Sequence, residues 1–343
     1  MHYDVIIVGA GPAGLAAAAK LGQNNISVLV VDKKPVIGPK SCAGGITWSG
    51  LLQKVPENLI ERSFRTQHIR TRLQNISITE NQPIIATVDR KNLGSAMAET
   101  ARQYYVDIIT GTFVQNIDHN TLTLFDRAKE KRYSVSYNYL VGADGSTSLV
   151  RRYLDLPVKK TGIGVNFQIN GTRENVEWHL LSKYFHNGYG WIFPHKETLS
   201  IGAYIPQRSM SGAALKNRLV RWAATCDIDL QHHKCSAGYI NYDYRGWQFG
   251  NIYLAGDAAG LASALTGEGI YPAILSGEAI AEKIITPKSD SREMHRLIHN
   301  HKLFVNLVRL SSKSRLLSSV WAEAGSLALR MNVINFSKLE MSR

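Results

Sequence analysis

Gly9, Gly11 and Gly14 stand at the spacing Gly-x-Gly-x-x-Gly directly after an apolar β-branched run, VIIV at residues 5–8. Asp32 closes the next such run, SVLVVD, 18 residues past the last glycine. Each glycine has a task at a phosphate-binding turn: Gly9 permits the tight turn, Gly11 lets the backbone approach a pyrophosphate, and Gly14 lets a helix pack closely on a strand. Pro12 and Ala13 open that helix, whose first N–H groups carry partial positive charge toward an anion. Asp32, followed by Lys33, is placed to accept from a ribose hydroxyl. This is dinucleotide-binding chemistry, and by itself it does not choose between FAD and NAD.

Two further segments narrow the choice. GADGSTSLVRR, residues 142–152, follows the apolar YLV, and GDAAGLASALTGEGI, residues 256–270, follows IYLA. Alone, an Asp-Gly pair is usually a turn. As a set with the first motif, these segments fit a flavin: a carboxylate such as Asp257 at a strand end suits the ribityl chain. Gly267 and Gly269 let a backbone and a helix N-terminus approach a flat ring, where positive potential favours the reduced, anionic form. A third stretch, GYGWIFPHKE at 188–197, puts Tyr189, Trp191 and Phe193 on alternate positions, hence on one face of a strand, and Pro194 then ends the ladder. Such a stripe is either a core strand or the wall of a large apolar pocket.

The elements that must position these residues follow from the pattern. VIIV, PAGLAAAAKL and SVLVVD read as a parallel strand, helix, strand unit. IRTRLQNISITENQPIIATVDR alternates like antiparallel strands, KNLGSAMAETARQY is helical, and residues 155–245 are strand-rich apart from GAALKNRLVRWAATC. GIYPAILSGEAIAEKI is a helix, and the segment after it is helical by pattern. The order predicts an α/β protein: a discontinuous Rossmann-type FAD-binding domain at 1–60, 85–155 and 245–285, an inserted antiparallel-sheet substrate domain at 61–84 and 156–244, and a helical C-terminal tail at 286–343. At 343 residues and 44% hydrophobic content, the chain is long enough for two lobes. No repeat or low-complexity segment occurs.

Charge and cysteine content set the surroundings. Net charge is +13, and residues 288–343 carry ten Lys or Arg against four Asp or Glu. That excess favours anionic partners. Cys42, Cys226 and Cys235 form a sparse, odd set unlike a disulfide framework, which points to a reducing, cytoplasmic setting. No apolar run reaches the roughly 20 residues of a spanning helix. The basic tail, with apolar residues at helical intervals, either packs on the protein or lies peripherally against an anionic membrane. Cys226, His232, His233 and Cys235 lack zinc-site spacing, so no metal is expected. His195 reads as a surface group. No nucleic-acid fold motif is present, and no nucleic-acid partner is expected.

GAGPAG at 9–14, KSCAGGI at 40–46, VDRKNL at 88–93, GADGSTSLVR at 142–151, YGWIFP at 189–194, and GDAAG with LTGEGI up to 270 together resemble, in order and spacing over residues 1–285, the flavoprotein superfamily of para-hydroxybenzoate hydroxylase. Within it the chain is similar to the geranylgeranyl reductase family. The resemblance implies an extended FAD, with Ala13 and Asp32 at the adenosine half, and Arg90 and Val114 near the nucleotide. It puts Asp257 at the ribityl chain, Gly269 and Ile270 under the ring, and Cys42 and Ala43 beside the flavin face. Asp144 and Arg151 would support the flavin, and with it a nicotinamide donor. Ala264 stands where the family usually has proline, and His195 where it commonly has lysine.

The activity so implied is saturation of isolated carbon–carbon double bonds of an isoprenoid, geranylgeranyl-type chain by hydride from flavin N5, with electrons from NAD(P)H or a ferredoxin-type protein. Tyr189, Trp191, Phe193 and Pro194 would then form the substrate pocket. Cys42 and Tyr189, which carry exchangeable hydrogens, are the candidate proton donors. The same architecture also runs hydroxylations, so a flavin monooxygenase of a small apolar or aromatic substrate is the alternative.

Overall fold

A computed structural model of the chain describes residues 1–206, 210–331, 333 and 341, with residues 51–53 described in backbone only. The first sheet is organised around the opening strand, His2–Val8, which pairs in parallel with Val28–Val31 on one side and Lys131–Gly142 on the other. Asp107–Ile109 extends it beyond Val28–Val31, and Ile252–Leu254 extends it beyond Lys131–Gly142, again in parallel. The antiparallel strand Gln248–Phe249 forms one edge, and the hairpin of Thr112–Asp118 and Thr121–Asp126 branches from Lys131–Gly142. Val28–Val31 is buried along its whole length, as expected for a parallel strand covered on both faces. This sheet therefore draws its strands from segments far apart in the sequence.

The helix Pro12–Gln23 crosses Ile270–Ile285 at backbone distance, because small residues meet at the crossing. A Cβ on Gly277 would lie 2.1 Å from the Ala13 carbonyl oxygen. The crossing brings the glycine turn and the 256–270 segment to one side of the sheet.

A second sheet has seven strands in the order Cys235–Asn241, Thr161–Asn170, Thr198–Ile205, Tyr189–Pro194, Val176–His179, Thr66–Arg70 and Asn75–Thr79. All neighbours are antiparallel except Val176–His179 with Thr66–Arg70. One face packs Val165, Phe167, Ile192 and Ile201 against Leu215, Leu219 and Trp222 of the helix Gly212–Ala224. The other face carries the aromatic rings. A small antiparallel sheet of Gly45–Thr47, Ile85–Val88 and Ile60–Phe64 lies between the segments of the two larger ones in sequence. The chain continues in two helices, Arg292–Ser311 and Arg315–Arg330. Of the expected helical tail, residues 332, 334–340, 342 and 343 lie outside the described residues. No described helix is long and apolar enough to cross a membrane.

Candidate flavin and substrate site

The glycine turn is built by contacts that leave no room for side chains. Gly9 has φ +110°, and a Cβ there would lie 2.4 Å from the Ala143 carbonyl oxygen; one on Gly14 would lie 2.0 Å from the Gly9 oxygen. A Cβ on Gly11 would meet nothing within 4 Å, so this position faces open space. Asp32 fixes the turn from the neighbouring strand end. Its Oδ2 accepts from the Ala10 amide at 2.7 Å and its Oδ1 from the Lys34 amide at 2.8 Å. The helix Pro12–Gln23 has no side-chain cap, so its first N–H groups remain available to an anion.

Arg90 enters the same space from the start of the helix Arg90–Gln103, which Asp89 caps by accepting from the Asn92 amide at 2.8 Å. Its buried Nε and Nη1 have no partner among the described residues. A buried guanidinium edge without an acceptor is costly unless an anion completes it. The uncapped helix, the open space at Gly11 and this orphaned edge together fit the pyrophosphate of a dinucleotide.

At the other end, Asp257 accepts at Oδ2 from Lys40 Nζ and from Ser146 Oγ, both at 3.0 Å, and its backbone carbonyl accepts from Asn241 Nδ2 at 2.8 Å. Asp144 uses Oδ2 to accept from the Leu149 amide at 2.5 Å, while its buried Oδ1 has no described partner. Burial pushes this carboxyl up from the ordinary Asp range. Arg151 does not line the cavity. It is 1% exposed and donates to the carbonyls of Leu156, Ala258 and Asp243, tying the 142–156 segment to the 243–258 segment.

Tyr189, Trp191 and Phe193 lie on one face of Tyr189–Pro194, as the alternation requires. Trp178 and Tyr204 join them by register: Trp178 pairs opposite Trp191, and Tyr204 opposite Tyr189. Ring centroids are 4.8 Å apart for Trp178 and Phe193, 5.2 Å for Trp178 and Tyr189, and 5.9 Å for Tyr189 and Tyr204. Both phenols anchor the 263–268 loop, Tyr189 by donating to the Thr266 carbonyl at 2.5 Å and Tyr204 to the Ala264 carbonyl at 2.9 Å. Burial pushes both well above the ordinary tyrosine value. The Trp191 indole donates to Ser200 Oγ, which donates in turn to Asn166 Oδ1.

One cavity of about 750 Å³ unites these parts. Its lining includes Gly9, Gly11, Pro12, Ala13, Asp32, Lys33, Arg90 and Val114 at one end. Toward the other it includes Cys42, Ala43, Asp144, Asp257, Gly267, Gly269 and Ile270, together with the rings of Trp178, Tyr189, Trp191, Phe193 and Tyr204. Like Arg151, two other residues singled out in the sequence, Gly14 and Pro194, do not line it. Gly14 faces the strand behind the turn, and Pro194 sits at the strand end, where its carbonyl accepts from Thr87 Oγ1 at 2.9 Å. His195 is not a surface group. It is 6% exposed and bonded to Glu61 and to the Ala43 carbonyl. Lys40, Ser146, Trp178 and Tyr204 complete the site without a sequence signal of their own, although Lys40 and Ser146 fall inside the KSCAGGI and GADGSTSLVRR segments. The described residues hold no cluster of His, Cys, Asp and Glu suited to a metal.

The architecture and the glycine turn define a flavoprotein. The chain belongs to the FAD binding domain family, which it matches over residues 2–298, and it is an FAD-dependent oxidoreductase of the geranylgeranyl reductase type. It is 26% identical over 321 residues to digeranylgeranylglycerophospholipid reductase 2 of Methanothermobacter thermautotrophicus, covering 86% of this chain and 82% of that one. Among solved structures, it is similar to a geranylgeranyl bacteriochlorophyll reductase-like protein from Thermoplasma acidophilum, with TM-score 0.76 and 18% identity over 96% of this chain and 98% of the other. It is also similar in fold to a p-nitrophenol 4-monooxygenase from Pseudomonas putida, with TM-score 0.73 and 15% identity over 98% of each chain.

Proposed function

We propose that the protein saturates carbon–carbon double bonds of a geranylgeranyl-type lipid. In this reading Gly9, Gly11, Pro12 and Arg90 surround the pyrophosphate of FAD, and Ala13 lies toward the adenosine half. Asp32, Lys33 and Val114 lie along the adenosine half, Asp257 along the ribityl chain, and Cys42, Ala43, Gly267, Gly269 and Ile270 around the ring. Bound FAD, once reduced, supplies a hydride from N5 to one alkene carbon, and the protein must supply a proton to the other.

The observation that carries the reading is the continuity of the dinucleotide-binding turn with a wall of five aromatic rings in one cavity. An isoprenoid chain fits such a wall because apolar contact excludes water without placing a charge beside the alkene. Tyr189 is committed as a donor to Thr266, and burial strongly disfavours its ionisation. The Cys42 thiol, which accepts from the Gly44 amide at 3.4 Å, keeps its own hydrogen free to give. Cys42 is therefore the preferred proton donor, with Tyr189 orienting the loop. Electrons come from NAD(P)H or a ferredoxin-type protein. A substrate of this class resides in a bilayer, so the reading includes peripheral contact with a membrane.

The test is anaerobic turnover with a chemical or nicotinamide reductant and a geranylgeranyl lipid, read by mass spectrometry. The reading predicts a gain of two hydrogens per reduced bond. Oxygen-dependent consumption of the nicotinamide stimulated by an aromatic compound, with the lipid unchanged, would instead establish a monooxygenase.

A further inference from the structure

The last described helix, Arg315–Arg330, is turned inside out. Leu316, Leu317, Val320, Trp321, Ala324 and Leu327 recur at three- and four-residue spacing and form one face, and that face is outward. Leu316 is 75% exposed, Val320 55%, Leu327 47% and Trp321 46%. The buried positions are instead Ser318, Ser326 and Leu329.

The rotation of the helix is fixed by named bonds. The Glu323 carboxylate accepts from Thr71 Oγ1 at 2.7 Å, from the Leu73 amide at 3.0 Å and from Gln74 Nε2 at 2.9 Å, all in the turn between Thr66–Arg70 and Asn75–Thr79. Ser318 Oγ lies 2.8 Å from the Ser311 carbonyl, the last residue of the preceding helix. Leu73, 78% exposed at that same turn, adds to the apolar face, and Arg72 beside it is exposed. A helix held this way cannot turn its leucines inward without giving up the Glu323 bonds.

Charge identifies what covers the face. Between His299 and Met331 the chain has a single acid, Glu323, which is bonded inward, and five cations, of which Arg315 has its Nη2 3.1 Å from His186 Nε2 while Lys302, Arg309, Lys313 and Arg330 are exposed. Two copies of such a face would bring like charges together. An anionic bilayer satisfies both parts, taking the apolar side chains at the acyl boundary and the cations at the headgroups.

We infer that the Arg315–Arg330 face, with Leu73 at its margin, is the surface by which the protein docks on an anionic membrane. The inference rests on the reading of a lipid substrate only for its purpose, since the contact itself needs no prenyl chain.

The experiment floats the FAD-loaded protein with phosphatidylglycerol vesicles and with phosphatidylcholine vesicles, neither of which offers a reducible prenyl chain. Failure of the reductase reading therefore leaves the result unaffected. The expected result is flotation with the anionic vesicles that weakens as salt rises. A blue shift of tryptophan emission should accompany it and disappear in Trp321→Phe. Leu316→Glu combined with Leu327→Glu should retain flavin absorbance while vesicle partitioning falls about tenfold or more. Lys313→Glu with Arg330→Glu, which leaves the apolar residues in place, should remove the preference for anionic vesicles. Three results overturn the inference: wild-type protein that stays with the aqueous fraction, face variants that float as wild type does, or a dimer in sedimentation velocity that the face variants convert to monomer.

Discussion

The imidazole of His195 is held between the Glu61 carboxylate, 2.5 Å from Nδ1, and the Ala43 carbonyl, 3.0 Å from Nε2. A carbonyl only accepts, so Nε2 carries a hydrogen. The loop is pressed onto the ring as well, since a Cβ on Gly44 would lie 2.5 Å from His195 Cε1. His195 thereby fixes the backbone of the residue next to Cys42. His195→Ala should cost about 1–3 kcal/mol, by leaving the Ala43 carbonyl without its partner. His195→Gln, which keeps an N–H donor, should lose less. Urea denaturation of the two variants measures the difference.

Gly11 and Gly14 should fail in different ways. Gly14→Ala places a Cβ against the Gly9 oxygen, so it should lower both stability and flavin content. Gly11→Ala meets nothing in the protein and intrudes only on the space assigned to the pyrophosphate, so the protein should remain folded while FAD affinity drops about tenfold or more. Flavin-to-protein ratio and thermal melting, measured together, separate the two.

Arg90→Met removes two buried donor nitrogens, Nε and Nη1, that have no acceptor among the described residues. The FAD-free protein should therefore be as stable as wild type or more so, because an unsatisfied buried donor costs about 1–3 kcal/mol. FAD titration should show weaker binding by about tenfold or more. A variant that loses stability without losing FAD affinity would place Arg90 in the scaffold instead.

Cys42→Ala should lower the rate of lipid reduction by about a hundredfold, within the usual range for losing a positioned proton donor. Tyr189→Phe should lower it by roughly tenfold or less, since its hydroxyl is spent on Thr266. Single-turnover kinetics under anaerobic conditions distinguishes these outcomes.

His301, 2% exposed, has its pKa pushed down to about 4, chiefly by burial and against backbone hydrogen bonds to Ala262 and Tyr242. A depressed histidine pKa means that the unfolded chain binds the proton more readily. The stability it supports is present above about pH 6.5 and lost as pH falls toward 4, on the order of 3 kcal/mol. Replacing His301 with Asn should flatten this acid limb in urea titrations run across that pH range.

What the sequence disclosed depended on distance along the chain. The turn from Gly9 to Asp32 was readable because strand, helix and acid are local, and the alternation in 189–193 settled which rings share a face. Trp178 and Tyr204 were not readable as part of the wall, since their places depend on strand register set by the whole sheet. His195 was misjudged because Glu61 lies 134 positions away. The Lys40 and Ser146 bonds to Asp257 likewise span 217 and 111 positions. In the last helix the periodicity was plain, but which face turns outward is decided by Glu323 and a turn some 250 residues earlier.

In the proposed reaction this flavoprotein passes a hydride to an unactivated alkene in an apolar cavity. The most direct measurement is stopped-flow absorbance of the anaerobically reduced protein mixed with a geranylgeranyl lipid. The oxidised flavin band should return at a rate that rises with lipid concentration, and the fully saturated lipid should produce no change. A flavin that stays reduced with every prenyl lipid, yet is reoxidised at once by oxygen with hydroxylation of an added aromatic, would contradict the claim.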